Sequence, residues 1–229
     1  MGIHDGHRQR LKARFLRQGL SGFEDHNVLE LLLFYSLPRA DTNEIAHELL
    51  STFGSLSAVF DAPFDELCKI KGVSRHTASL IKLIPELTSV YNIDKTKYSD
   101  TIINAKDAGL YFVPRFYGKL NEEVHVMLLD DKRKIIKCEK IFEGIVNLSP
   151  ITVKKVVALA VNSNATGVVL AHNHPAGVAL PSSSDLRMTE QLFHALKLIN
   201  IHLIDHIIVA DDDFVSLAES GEFERYNYK

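Results

Sequence analysis

Residues 168–185 read Val168-Val169-Leu170-Ala171-His172-Asn173-His174-Pro175-Ala176-Gly177-Val178-Ala179-Leu180-Pro181-Ser182-Ser183-Ser184-Asp185. Four uncharged apolar residues followed by turn formers predict a short buried strand. His172 and His174 stand two apart as that strand ends. Side chains alternate along a strand, so both imidazoles point to one face. Pro175, Gly177 and Pro181 then force a tight loop that returns the chain to a helix start. Two neutral imidazoles side by side make half of a zinc site, and Asp185 in the first helical turn could add a carboxylate. Two His and one Asp leave the fourth tetrahedral position open, which distinguishes a catalytic zinc from a structural one. The same residues also have a plainer use. Ser182-x-x-Asp185 is a helix capping pattern, and an Asp near a helix N-terminus is favoured by the dipole.

Around this stretch, helices alternate with strands. Asp185 to Ile199 is amphipathic, with Leu192, Phe193, Leu196 and Ile199 on one stripe. His202–Ala210 and Val215–Leu217 read as strands. Upstream, Ala105–Gly118 reads as a helix. Val124–Leu129 and Ile135–Val146 read as strands joined by the turn Asp130-Asp131-Lys132. Ser149-Pro150 opens a helix to about Asn162. Such interleaving argues for a layered α/β domain over 105–229. Residues 93–104 are mixed and polar and read as a linker.

Residues 1–92 carry helical patterns only. His7–Gln18 is basic, Asp25–Leu37 is densely apolar and stops at Pro38, and Thr42 is the expected cap of a third helix. Pro63 opens a short helix and Arg75–Val90 forms a further one. The chain is thus expected to hold an all-α N-terminal domain and an α/β domain.

Composition narrows the classes of function. Of 229 residues 46% are hydrophobic and 24% charged, enough to build one large core or two small ones. The 26 Lys and Arg against 29 Asp and Glu exclude a general polycation that coats nucleic acid. Cys68 and Cys138 are too few for a disulfide scaffold or a Cys-rich zinc module, and inert burial is expected for both. No run approaches the roughly 20 apolar residues of a membrane span, and the N-terminus has no apolar signal core. The expected location is the cytoplasm, with no membrane partner.

An open zinc site lowers the pKa of bound water to about 7 and still needs a general base. No H-E-x-x-H helix is present, so the base comes from elsewhere. Glu122 is a candidate: it stands between the 105–118 helix and the 124–129 strand, at a sheet edge. Ser182 is a candidate donor to a developing oxyanion.

His-x-His, seven residues, Ser, two residues, Asp resembles the JAMM metalloprotease motif of MPN domains. The longer string His172-Asn173-His174-Pro175 to Pro181-Ser182, with Asp205-His206-Ile207-Ile208-Val209 downstream, resembles the bacterial RadC family in particular. The resemblance covers about residues 100–229, and the helical front half fits that family's layout. It implies a mixed sheet flanked by helices in cytidine-deaminase-like layers. It also implies a zinc site of His172, His174 and Asp185, with Ser182 as oxyanion helper and a glutamate base. Glu122 matches that base by its offset to Leu128-Leu129-Asp130, and Glu123 is the register-slip alternative. The implied activity is hydrolysis of a peptide or isopeptide bond in a peptide or protein substrate. Two departures stand out. Ala176 replaces a common Ser, and Val153-Lys154-Lys155 replaces a Pro-Arg-Glu start of the preceding helix, at the lip of the site.

Of the other histidines, His206 is read as a structural hydrogen-bonding residue or as support for the metal. His125, His194 and His202 read as ordinary packed or surface residues. In the front half, Leu67 to Ile81 with Lys71-Gly72-Val73-Ser74-Arg75 resembles a helix-hairpin-helix motif, which offers backbone N–H groups to a phosphate. Lys71, Gly72, Ser74 and Arg75 are the candidate DNA contacts. Ser74 in place of the second glycine weakens close approach. Residues 1–92 hold 10 Lys and Arg against 11 Asp and Glu, so no basic domain is present, although Arg8, Arg10, Lys12, Arg14 and Arg17 form an acid-free run. The alternative function is therefore DNA association, weak and sequence-independent, in line with the family's label of DNA repair protein and with the metal domain auxiliary. A metal-free assembly scaffold is the third class, and the full Glu122, His172, His174, Ser182 and Asp185 set argues against it.

Overall fold

Short continuous apolar runs fix the central strands: Val126–Leu129, Val168–Ala171 and Ile207–Ala210 are buried throughout. The computed structural model describes residues 3–95, 100–144, 150–175 and 177–227. Strands β1 (Glu123–Leu129), β2 (Ile135–Glu143), β3 (Gly167–Asn173), β4 (His202–Ala210) and β5 (Asp213–Ser216) form one sheet in the order β2-β1-β3-β4-β5. β3 and β4 run parallel and the other pairs antiparallel, so the sheet is mixed. The central strand β3 is buried at all seven positions, as expected of a strand covered on both faces.

Three helices supply the cover: α7 (Ala105–Phe116), α8 (Pro150–Asn162) and α9 (Ser183–Lys197). Val124, Val126, Leu128, Val168 and Leu170 point to the face packed by Val156 and Ala160 of α8 and by Met188, Leu192 and Leu196 of α9. Met127, Leu129, Val169, Ala171, Ile207 and Val209 point to the other face, under Ala105, Ala108, Phe112 and Phe116 of α7. Each fully buried aliphatic side chain is worth about 1.5–3 kcal/mol, so these two faces hold the layers together. Gly109 lets α7 approach β5, because a Cβ there would lie 2.3 Å from the Phe214 ring. A short helix α10 (Glu222–Asn227) follows.

The N-terminal helices are α1 (Ile3–Gln18), α2 (Asp25–Leu33), α3 (Thr42–Phe53), α4 (Leu56–Asp61), α5 (Phe64–Leu67) and α6 (Arg75–Lys95). Leu29, Leu33, Ile45, Leu49, Val59, Leu67 and Ile81 make a core of their own. The chain divides into two compact units, residues 1–88 and 89–229. The second unit therefore begins before residue 105. Within it, the Ser89 hydroxyl donates to Pro114 O at 2.8 Å. The expected linker is structured where described. Residues 93–95 continue α6, Thr101 bridges Lys134, and Ile102 is buried with its N–H donating to Arg133 O at 3.0 Å. Residues 96–99 lie outside the described residues.

Other departures are local. The cap of α3 is Asp41, whose carboxylate accepts from the Asn43 N–H at 3.0 Å, and Thr42 is instead the buried first residue of the helix. α4 is started by the Ser55 side chain on Ala58 N–H, a signal the apolar pattern alone does not carry. The end of the expected 135–146 strand and the Ser149 cap fall outside the described residues, as does Ala176. Among the described residues, no helix is long and apolar enough to cross a membrane.

Candidate metal centre

β3 ends at the site. Its even-numbered residues Val168 and Leu170 face α8 and α9, and this alternation puts His172 on the same face while Asn173 turns to the other. His174 N–H donates to Val209 O at 2.8 Å, which carries the parallel ladder one residue past the strand and fixes His174 beside His172. The loop then returns to α9. Ser182 is its N-cap and Asp185 its third residue, with both halves of a capping box present.

The Nε2 atoms of His172 and His174 lie 3.0 Å apart. Asp185 Oδ1 is 3.4 Å from His172 Nε2, and Oδ2 is 3.6 Å from His174 Nε2. Ligands at zinc distances of about 2.0–2.1 Å in a tetrahedron sit roughly 3.3 Å from one another, and these contacts, made through a different Asp185 oxygen to each imidazole, lie near that spacing. His174 Nδ1 is 3.1 Å from Val178 O, which can only accept, so Nδ1 carries a proton and Nε2 is the atom turned toward His172 and Asp185. Asp185 Oδ2 takes the Ser182 N–H at 2.7 Å and the Ser182 hydroxyl at 2.6 Å, leaving Oδ1 as the available donor. His172, His174 and Asp185 thus form a group that could hold a metal ion.

The electrostatics agree. Burial opposes charge on Asp185, but the neighbouring His172, His174 and Ser182 outweigh it and hold the carboxyl far below the usual range. The hydrogen bond to Asp185 raises His174. Complete burial pushes His206 well below the usual imidazole value, and the neighbouring His172 adds to this.

Glu122 lies just before β1. β1 pairs Val124 with His172, so Glu122 falls on the face of the two histidines. It lines a cleft of about 650 Å³ with His174, Pro175, Ser182 and Asp185, and its charge acts on His174. Glu123 faces the other way. Its carboxylate is buried against His125 Nε2 at 2.9 Å and Lys140 Nζ at 3.2 Å. The Ser182 hydroxyl is engaged in the cap and with Ser184 Oγ at 2.8 Å, so it is not an idle donor. Lys155, in the segment that departs from the RadC pattern, donates to Ile141 O at 2.8 Å and ties α8 to β2.

Two residues without a role in the His-x-His and Ser-x-x-Asp spacing support the site in the structure. Asn173 accepts from Glu123 N–H at 2.7 Å and donates to Asn121 O at 3.0 Å, gripping the backbone on both sides of Glu122. Thr189 is completely buried on the apolar face of α9, four residues after Asp185, and contacts His206. Thr189, a polar residue on the apolar stripe of α9, is the available signal there, whereas Asn173 stands between two histidines and carries none.

The candidate DNA contacts form a turn in the first unit. Gly72 has φ +89°, and a Cβ there would lie 2.8 Å from Ile45 Cδ1. The Ser74 hydroxyl accepts from Thr77 N–H at 3.2 Å, and the Arg75 guanidinium stacks on Phe64 at 4.7 Å. Several members of the basic run are used internally. Arg8 donates to Leu37 O and Ala40 O, Lys12 sits over Tyr35, and Arg14 donates to Gly22 O. The cysteines are both free thiols and half-buried, and burial pushes Cys138 up to about 11.

Comparison with known proteins agrees with this layout. The family model for the RadC-like JAB domain matches residues 102–222. A UPF0758 protein of Fusobacterium nucleatum is 35% identical over 95% of this chain and 97% of its own length. UPF0758 proteins of Vibrio parahaemolyticus and Vibrio cholerae are 31% and 32% identical, each over 92% of this chain and 94% of their own. None of these names states an activity. The profile spans the whole sheet and the donor group at its centre, and the relatives extend the likeness through the helical front half, so the chain belongs to the RadC family.

Proposed function

We propose that the chain is a zinc-dependent hydrolase of the JAMM type that cleaves a peptide or isopeptide bond in a peptide or protein substrate. The observation that carries this reading is the convergence of His172 Nε2, His174 Nε2 and one Asp185 oxygen at the wall of a cleft that Glu122 also lines. Those three residues hold the cation, which when bound supplies Lewis acidity toward a carbonyl oxygen and lowers the pKa of water. Glu122 takes the proton from the attacking water as its oxygen bonds to the carbonyl carbon. It then delivers that proton to the leaving nitrogen as the C–N bond breaks. The Ser182 hydroxyl exchanges Asp185 Oδ2 for the developing oxyanion, while the Ser182 N–H keeps Asp185 in place.

The test pairs metal analysis with a broad peptide-cleavage screen. Glu122→Gln keeps one zinc per chain and loses about 10²–10⁴-fold in turnover. Loss of zinc in that variant rejects the base role, and wild-type protein that binds zinc but cleaves nothing rejects the hydrolase.

A second reading, DNA association, is supported by the exposed Lys71, Gly72, Ser74 and Arg75 around the buried pin Val73, ahead of α6. The contacts would be to phosphate and insensitive to sequence. Salt titration of binding to short duplexes tests it. No binding at low salt removes the reading, and an unchanged affinity in Lys71→Ala/Arg75→Ala relocates it.

A further inference from the structure

Behind the metal group lies a second line of buried polar side chains. Thr189 and His206 are completely buried and His172 is 1% exposed. Thr189 Oγ1 donates to the backbone O of Asp185 at 2.6 Å. The same hydroxyl lies 2.6 Å from His206 Nδ1, and His206 Nε2 lies 2.8 Å from His172 Nδ1. No water separates these groups at such distances.

The direction of every bond follows from the first. A carbonyl oxygen only accepts, so the single proton of the Thr189 hydroxyl is spent on Asp185 O. Toward His206 the hydroxyl can only accept, so His206 Nδ1 carries a proton. A fully buried imidazole favours its neutral form, which leaves Nε2 as an acceptor. His172 Nδ1 must then donate to it, and His172 Nε2 is left with its lone pair facing His174 and Asp185. The reverse tautomer of His206 would set a bare Nδ1 against the lone pairs of the Thr189 hydroxyl, whose proton is already given to Asp185 O, with no water to intervene.

From this geometry we infer that Thr189 and His206 are positioning residues that hold His172 in the one tautomer able to ligate a cation. The inference rests on the metal reading above. Asp185 closes the circuit: its backbone carbonyl starts the chain that orients His172, and its carboxylate joins His172 at the metal. A ligating imidazole usually leans on a carboxylate or backbone carbonyl. Here a second imidazole and a threonine transmit the carbonyl's preference across the gap between α9 and β3.

Two measurements on the full chain test this. Long-range ¹H–¹⁵N spectra of the zinc-free protein read the tautomers directly. His206 is expected as the Nδ1–H form in wild type and in Thr189→Ser, and to lose that preference in Thr189→Val. Competition titration with zinc alone reads the consequence. Thr189→Val, nearly isosteric but unable to donate, weakens zinc binding by about 10–100-fold, whereas Thr189→Ser stays close to wild type. His206 as the Nε2–H form in wild type overturns the inference. So does Thr189→Val that binds zinc as tightly as wild type, an outcome that leaves the metal reading standing. Wild-type protein that binds no zinc overturns both. If Thr189→Val does not fold, the wild-type spectrum and the serine variant decide the matter.

Discussion

Replacing Asn173 by Ala removes both ends of the clamp that spans Glu122. The Asn173 side chain is 3% exposed, and its bonds to Glu123 N–H and Asn121 O are 2.7 and 3.0 Å long. Glu123 is buried, so its N–H loses its partner with no water to replace it, at a cost of about 1–3 kcal/mol. Asn121 is exposed and its carbonyl can turn to water, so that bond contributes about 0.5–1.5 kcal/mol. Together the loss is about 2–4 kcal/mol, or on the order of 5–15 °C in the melting temperature of the second unit. Asn173→Asp keeps the acceptor for Glu123 N–H but turns a carboxylate toward Asn121 O, so it should lose about as much. Thermal unfolding at fixed zinc concentration is the assay, because bound ligand shifts the midpoint by mass action. Zinc content should be retained, since Asn173 faces away from the two histidines, while turnover falls as Glu122 loses its fixed backbone. An Asn173→Ala protein within about 0.5 kcal/mol of wild type and equally active would refute the clamp.

Three further outcomes are expected. Leu170→Ala, in the middle of β3 and fully buried, should destabilise the chain by about 2–5 kcal/mol in urea unfolding, through lost transfer energy and a residual cavity. Gly72→Ala should cost more than about 1 kcal/mol, because φ is +89° and the added Cβ meets Ile45; a neutral effect would mean the turn is not formed in solution. The third concerns pH in chelator-treated protein. Asp185 raises His174 above 6.5, so this histidine's contribution to stability is fully present below its unfolded value and is lost as pH rises through the higher folded value. Between pH 6 and 8 the difference in urea midpoint between wild type and His174→Ala should therefore shrink with rising pH, while zinc affinity runs the other way because the ligating imidazoles must be neutral. A difference that grows with pH contradicts the His174–Asp185 pairing.

Much of the second unit was legible because its signals are local. The apolar run Val168–Ala171 is short and uncharged, and β3 is indeed covered on both faces. The His-x-His spacing followed from the two-residue period of a strand, and the Ser182–Asp185 interval from capping geometry. Both uses of that interval coexist: the cap and the carboxylate donor are the same residues. What sequence could not supply were contacts across the sheet. The choice between Glu122 and Glu123 depends on which face of β1 meets His172, a matter of register that β1 alone does not reveal. His206 and Thr189 are 17 residues apart and meet only once α9 has packed on β4. Within the expected linker, polar composition around 93–104 gave no sign of Ile102, whose burial depends on docking to the β1–β2 hairpin.

A crystal structure of the zinc-soaked protein, with anomalous data at the zinc edge, bears most directly on the central claim. One zinc is expected, bonded to His172 Nε2, His174 Nε2 and Asp185 Oδ1 at about 2.0–2.2 Å, with a fourth position open toward Glu122. An anomalous map with no peak between these three side chains, or a zinc held elsewhere on the chain, contradicts it.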